Sequence, residues 1–258
     1  GGGGWIPPDP DCGEASFSGG GTKTNVTGNC DPGWVPGGSS PSANQTIIDS
    51  LQGYPCAQGI LAQLPGVNAA AKTILQNVFG VNNKVNVIFK ADSTLPPTHN
   101  GFVDTVIFNA TTGRYDAIVI LNGKVLRKAS KEFIAKTMFH ESIHAYISYY
   151  WKQYKNGIID STTLKNMFPK IWQYKSASQI AQHTEIANFY INHIKSIISS
   201  FNPSIADSTN IAIAWGGLSE TIAWKNLGSD TIQLNRLRSV SRDSSAARMQ
   251  SVNLTKCN

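Results

Sequence analysis

The chain has 258 residues, and its 22 lysines and arginines against 16 acidic residues give a formal charge of +6. Only 15% of the residues are charged, and the basic ones are scattered, which argues against a dedicated nucleic-acid binder, where basic residues cluster with aromatic ones. Because no run of about 18 apolar residues occurs, the sequence predicts no transmembrane segment.

The first 45 residues differ in composition from the remainder. Residues 1–45 are crowded with Gly, Pro, Ser and Asn and hold few aliphatic side chains, too few to offset the entropy lost on ordering. We interpret them as a linker or stalk, in which Trp5, Ile6 and Trp34 either dock on the domain or stay exposed. The domain itself is predicted to span residues 46–258, which is long enough for one substantial core.

The four cysteines favour an exported, disulfide-bonded protein. None has C-x-x-C spacing and all lie far in sequence from the histidines, so a structural zinc site is not indicated. Disulfides persist in oxidising compartments. Three pairings are open, and the one that we favour joins Cys12 to Cys30 within the Gly-rich region and Cys56 to Cys257 across the domain.

Hydrophobic periodicity predicts an α+β domain. A short helix within residues 46–64, broken near Gly53 and Pro55, and a second helix at 67–79 precede the strands. Strands are predicted at residues 85–90, 103–109 and 117–121, the last two as an antiparallel hairpin. Further helices are predicted at residues 130–154, with Ser130 as its cap, and at 178–200, 209–227 and 230–240. The expected architecture is a small mixed sheet packed on helices, with a mainly helical C-terminal half.

The strongest motif lies in the middle of the 130–154 helix. Residues 140–144 read H-E-S-I-H, the H-E-x-x-H pattern. His140 and His144 share one helix face, where both imidazoles can reach a single cation, and Glu141 is offset so that it can act on a water as general base. Two ordinary histidines are the alternative, although burying them beside a carboxylate is costly without a metal. The pattern therefore predicts a catalytic Zn²⁺ site with one position open to water.

A catalytic zinc needs a third protein ligand, and the 178–200 helix offers three candidates, His183, Glu185 and His193. His183 falls on the apolar face of that helix, whereas Glu185 and His193 point elsewhere. We therefore predict His183 as the third ligand and keep Glu185 as the alternative, since a carboxylate is also sound zinc chemistry.

Other side chains near the motif are candidates for roles in catalysis. Tyr190, about two turns beyond His183, and Tyr146, just past the motif, could each donate a hydrogen bond to an oxyanion, with core packing as the alternative for both. The segment W-G-G-L at residues 215–218, followed by Trp224, could line a substrate groove, because paired glycines allow close backbone approach. Core packing is again the alternative.

The string H-E-S-I-H-A-Y-I at residues 140–147 resembles the active-site helix of SprT-like zinc metallopeptidases, a branch of the zincins. The wider layout is a Gly/Pro-rich leader, Y-P-C-A at 54–57, the zinc helix, Q-H at 182–183 and A-W-G-G-L at 214–218. It also resembles uncharacterised metallopeptidase domains of Bacteroidetes surface proteins and lipoproteins. The resemblance implies a zincin-like fold, ligand roles for His140, His144 and His183, Glu141 as base, export, and a surface anchor.

Two functional hypotheses follow. The first is an exported, secreted or cell-surface zinc peptidase that acts on proteins or peptides. The second is a non-catalytic surface or assembly module whose metal site is structural or vestigial and whose Gly-rich arm mediates attachment to a larger surface protein. A metal site open to water would favour the first hypothesis, and a closed coordination sphere the second.

Overall fold

The computed structural model describes residues 47–76, 78–79 and 85–257. The predicted linker at 1–45, with Cys12, Cys30 and the tryptophans of that region, lies outside these residues.

The described strands form one mixed sheet. Its strands are β1 (Ile47–Ser50), β2 (Val85–Asp92), β3 (Gly101–Asn109) and β4 (Arg114–Asn122). They pair in the order β1-β2-β4-β3, in which β2 lies parallel to both β1 and β4, and β3 lies antiparallel to β4. The predicted hairpin and the predicted mixed sheet are therefore confirmed. Strand β3 stands last in this order and forms an edge of the sheet.

Helices make up the rest of the described chain. Before the second strand lie α1 (Pro55–Gln63) and α2 (Ala69–Ala71), the latter continued by a π-helical turn over Lys72–Gln76. After the sheet lie α3 (Gly123–Leu126), α4 (Lys131–Lys155), α5 (Ser161–Met167), α6 (Pro169–Tyr174), α7 (Gln179–Phe189), α8 (Ile191–Phe201), α9 (Asp207–Ala214), α10 (Ile222–Lys225), α11 (Asp230–Arg242) and α12 (Ala246–Gln250). The predicted helical C-terminal half is confirmed. No helix within the described stretches is long and apolar enough to span a lipid bilayer.

Helix α4 is the centre of the fold. Every residue from Glu132 to Ile147 is buried, because β3 and β4 pack on one side of the helix and α1, α8 and α9 pack on others. A helix buried on all sides must hold its polar side chains in internal contacts. The histidines and the glutamate of the H-E-S-I-H segment are therefore core residues.

The beginning of α4 is tied to the end of the described chain. The Ser130 side chain accepts a hydrogen bond from the backbone N–H of Phe133, as the capping prediction requires. Thr255 and Cys257 pack on this turn. Lys131 N donates to the Thr255 carbonyl at 2.8 Å, and Cys257 N donates to the Ala129 carbonyl at 3.1 Å. Cys257 is also paired with Cys56 of α1 at disulfide distance, which is the pairing favoured from the sequence.

Three predicted helices differ in the structure. The Ile47–Ser50 segment is a strand, because its β-branched residues pair in parallel with β2, and a run this short does not distinguish helix from strand. The predicted 178–200 helix is two helices that bend at Tyr190, so that α7 packs on α6 while α8 packs on α4. The predicted 209–227 helix is interrupted after Ala214, because Gly217 takes a left-handed backbone with φ of +86°.

Candidate metal centre

Two imidazoles of α4 converge at the centre of the domain. His140 and His144 lie one helical turn apart, and their Nε2 atoms are 3.1 Å from each other. Both residues are buried, with 3% and 9% of their surface exposed. The four-residue spacing therefore does what the sequence predicted and turns both rings toward one point.

Helix α7 brings the third imidazole to the same point. The Nε2 atom of His183 lies 3.1 Å from Nε2 of His144, and the ligand atoms of the three histidines all lie within 4.8 Å of one another. His183 is 6% exposed. The structure thus brings together the three residues that the sequence indicated, and the three buried histidines could hold a metal ion.

Gln182 determines which ring nitrogen of His144 carries the proton. The Gln182 amide nitrogen donates to the Ala177 carbonyl at 2.7 Å, so the amide oxygen faces His144 Nδ1, also at 2.7 Å. An amide oxygen only accepts, which places the proton of His144 on Nδ1. The Nε2 atom of His144 therefore presents a lone pair to the other two rings.

Glu220 contacts the Nδ1 atom of His183 in the same way. Nδ1 of His183 contacts Oε1 of Glu220, whose side chain is 43% exposed. An ionised carboxylate accepts hydrogen bonds, so a neutral His183 ring carries its proton on Nδ1 and points a second lone pair at His144. Two lone pairs at 3.1 Å cannot form a hydrogen bond with each other. A metal ion between the two Nε2 atoms would accept both lone pairs. The partners of the two Nδ1 atoms, Gln182 and Glu220, are of the kind that metal-binding histidines have.

The electrostatics of the cluster favour neutral rings. Burial lowers the pKa of His140 well below its ordinary value, with further lowering by Lys136 and the other two histidines. Burial and the neighbouring His183 lower the pKa of His144 to about 3. Metal-binding imidazole must be deprotonated at the ligating nitrogen, so the fold holds these two side chains in the ligating form at neutral pH. Nδ1 of His140 is buried and has no hydrogen-bond partner among the described residues.

Glu141 and Lys136 lie beside the imidazoles as a buried pair of opposite charges. The residues are 6% and 2% exposed. Burial raises the pKa of Glu141 to about 7, an effect that Lys136 opposes, and burial lowers the pKa of Lys136 to about 8. The Lys136 ammonium donates to the Gly216 carbonyl, and the Glu141 side chain lies under the start of β3, where a Cβ on Gly101 would be 3.5 Å from Glu141 Cγ.

A turn between α9 and α10 covers the cluster. A Cβ on Gly217 would lie 3.5 Å from His140 Nε2, and the positive φ of this residue also disfavours a side chain. The same segment carries Glu220 to His183, and Thr221 then caps α10 by accepting from Trp224 N. The paired glycines noted in the sequence thus allow close approach of backbone to a ligating ring.

No family model matches the chain. Comparisons with curated proteins and with solved structures gave no match either. The resemblance of residues 140–147 to SprT-like metallopeptidases stays a prediction, and the geometry of the centre carries the functional argument.

The other predicted site residues lie elsewhere. Glu185 caps α6, because its Oε2 accepts from the backbone N–H groups of Lys170 at 2.7 Å and Ile171 at 3.2 Å, so it is not grouped with the three histidines. Tyr146 packs edge-on against Phe168 in an aromatic cluster. Tyr190 is buried near Glu185, and burial first, then Glu185, raises its pKa above the ordinary value. The Tyr190 ring lies 6.0 Å from the ring of His193, a histidine outside the cluster, and its role as an oxyanion donor stays a prediction.

Three residues of the centre were not assigned a role from the sequence. Gln182 and Glu220 orient ligands but lie 38 and 37 residues from the rings that they contact. Lys136 precedes His140 by one turn, and a lysine on the buried face of a helix that already carries the H-E-x-x-H pattern was the available sign.

Proposed function

We propose that this chain is a zinc-dependent peptidase in which His140, His144 and His183 hold the metal and Glu141 is the general base. The observation that carries the proposal is the set of converging Nε2 atoms whose Nδ1 partners, Gln182 and Glu220, leave lone pairs pointing at one position. Neighbouring imidazoles in a metal-free protein would instead share a proton.

The donor set suits zinc. Three imidazole nitrogens with one open position are the ligands of a typical catalytic zinc. With Zn–N bonds of about 2.0–2.1 Å, two nitrogens of a tetrahedral site lie roughly 3.4 Å apart, close to the 3.1 Å between adjacent Nε2 atoms here. Among the described residues, no Cys, Asp or Glu joins the three histidines as a fourth ligand. When bound, zinc supplies Lewis-acid chemistry that makes water a nucleophile near neutral pH.

In the proposed mechanism Glu141 moves the protons of peptide hydrolysis. As general base its carboxylate takes a proton from the attacking water while the oxygen–carbon bond forms. The same carboxyl then gives that proton to the amine nitrogen as the carbon–nitrogen bond breaks. Burial at 6% exposure keeps bulk water from competing for the proton.

The edge of the sheet supports a peptide as substrate. Strand β3 stands last in the sheet order, and it begins at Gly101, directly over Glu141. An edge strand presents backbone N–H and C=O groups with which an extended peptide can pair. A peptide aligned on β3 would therefore run past the general base, and we extend the proposal to a protein or peptide substrate.

A second candidate function is a structural or vestigial metal site in a non-catalytic surface or assembly module. The observation that favours it is burial, because none of the three histidines is more than 9% exposed. The two functions differ in whether water and peptide reach the metal. The attachment role suggested for residues 1–45 falls outside the described residues.

The test compares variants for zinc content and peptidase activity. We expect His183→Ala to lose zinc as measured by mass spectrometry, whereas His193→Ala, a matched change at a histidine outside the cluster, keeps it. Glu141→Gln should keep zinc and abolish cleavage of a peptide library. If wild type binds zinc stoichiometrically and cleaves no peptide, the second function is supported. If it binds no zinc, the peptidase proposal is wrong and the vestigial form of the second function is favoured.

The Cys56–Cys257 pair is compatible with an oxidising compartment, and we include export in the proposal. Detection of this disulfide in protein isolated without reductant, by peptide mapping, checks that part. Free thiols at both positions would contradict it.

A further inference from the structure

Three cationic side chains, those of Lys136, Arg238 and Arg242, are neighbours near the turn between α9 and α10. A Cβ on Gly216 would lie 3.3 Å from Lys136 Nζ and 3.4 Å from Arg238 Cδ, so both side chains press on the same backbone unit. Arg238 belongs to α11, whereas Lys136 belongs to α4. Gly216 is next to Gly217, which touches His140, and the two cations therefore lie one residue away from the metal centre.

Arg242 contacts the segment that precedes β3. It lies one turn beyond Arg238 on α11, and its Nε donates to Asn100 Oδ1 at 2.5 Å while an Nη donates to the Pro97 carbonyl. Asn100 directly precedes Gly101, the residue that lies over Glu141. Helix α11 thus carries one arginine that packs on the turn at Gly216 and a second, one turn later, that contacts the residue before β3.

Glu141 offsets part of the positive charge of Lys136, whereas Arg238 and Arg242 have no ion-paired carboxylate among the described residues. None of the ion pairs among the described residues contains Lys136, Arg238 or Arg242. Half-buried like charges raise the free energy of the folded state unless an anion joins them. Zinc in the neighbouring centre would add further positive charge to the same region.

The contacts that these arginines already make leave most of their donors unused. A guanidinium has five N–H donors, of which Arg238 uses one, for Asn235 Oδ1, and Arg242 uses two. The guanidinium carbon of Arg238 also lies 5.8 Å from the centroid of the Trp224 ring. A purely structural role would explain the stem of each side chain but not the accumulation of charge between the turn at Gly216 and the start of β3.

From this arrangement we propose that Arg238 and Arg242 form an anion subsite that binds a carboxylate of the substrate beside the scissile bond. The planar fork of arginine matches a carboxylate, to which it can donate two parallel hydrogen bonds. Lys136, which is buried behind Gly216, adds its charge without reaching the carboxylate. This inference rests on the proposed peptidase function and names its substrate class, which is peptides that carry an acidic side chain or a free C-terminal carboxylate at this subsite.

The experiment measures peptide binding rather than cleavage. Zinc-loaded full-length Glu141→Gln protein is titrated with fluorescent peptides that each carry one glutamate at a different position, with matched glutamine peptides, and each with a free or an amidated C-terminus. A charge-assisted pair should make the carboxylate peptide bind about tenfold more tightly than its matched amide. Loss of preference on amidation identifies the C-terminal carboxylate, and loss on changing Glu to Gln identifies the side chain.

Variants on the same background locate the subsite. Arg238→Gln and Arg242→Gln should each remove most of the preference, while Arg236→Gln, an exposed arginine of the same helix, should leave it unchanged. Arg238→Lys keeps the charge and the helix and should retain part of the preference, which separates charge loss from misfolding. Equal binding of all four peptide classes, or equal effects of Arg236→Gln and Arg238→Gln, would overturn the proposal.

The two proposals fail in different ways. If wild type cleaves peptides and shows no preference for carboxylates, the subsite is wrong and the peptidase function stands. If the carboxylate preference is present in binding and wild type cleaves nothing, the subsite stands and the peptidase function is wrong.

Discussion

Substitution of Gln182 by leucine tests how the protein orients a ligating imidazole. Gln182 is 9% exposed and accepts from His144 Nδ1 while donating to the Ala177 carbonyl. Leucine fills a similar volume but offers no acceptor, so the His144 ring loses the contact that keeps its proton on Nδ1. Loss of such a partner lowers metal affinity about 10- to 100-fold, or roughly 1.4 to 2.7 kcal/mol.

The assay is competition for zinc against a chromophoric chelator at constant pH, which gives the dissociation constant of each variant. Gln179→Leu, an exposed change in the first turn of α7, is the control and should match wild type. Gln182→Glu restores an acceptor and should bind zinc more tightly than Gln182→Leu. Wild-type affinity in the folded Gln182→Leu protein would refute the assignment of the proton to Nδ1, and with it the argument for converging lone pairs.

Two further predictions concern stability. Replacing both Cys56 and Cys257 by serine removes a disulfide that links positions 201 residues apart, and chain entropy limits its contribution to the free energy of unfolding to about 5 kcal/mol. We expect urea denaturation to show that this free energy falls by about 2 to 5 kcal/mol, equal to the fall for wild type in reductant. An unchanged denaturation midpoint would contradict the prediction. Burial raises the pKa of Glu185 to about 7, against 4.5 for the free side chain. The protonated carboxyl therefore contributes stability that is fully present below pH 4.5 and is lost as pH rises through 7. Glu185→Gln should therefore gain up to about 3 kcal/mol over wild type between pH 4 and pH 8, measured by denaturation of the metal-free proteins, and a pH-independent difference would show that the carboxyl is not desolvated.

Local patterns predicted part of the centre. Helical spacing was enough to place His140 and His144 on one face, and the apolar face of the next long helical stretch pointed to His183 over Glu185. The strands from residue 85 onward were visible as β-branched runs between turn residues. These features depend on neighbours within one turn or one strand, which a single sequence displays.

Features that depend on contacts between residues far apart in the sequence could not be predicted from the sequence alone. The bend at Tyr190 has no Gly or Pro to announce it and follows from the different packing partners of α7 and α8. The contact of Glu220 with His183 depends on the left-handed turn at Gly217, which reverses the chain between α9 and α10. Residues 47–50 show the same limit, because only pairing with β2 makes them a strand.

The closure of residues 254–257 over the first turn of α4 has a consequence for the order of assembly in the cell. Lys131 and Ala129 depend on Thr255 and Cys257 for their backbone partners, so the helix that carries two of the three imidazoles lacks its anchoring until the ribosome has passed residue 257. We expect the emerging polypeptide to take up metal only after that point. Under the proposed function, the chain would stay inert until residues 254–257 have been made.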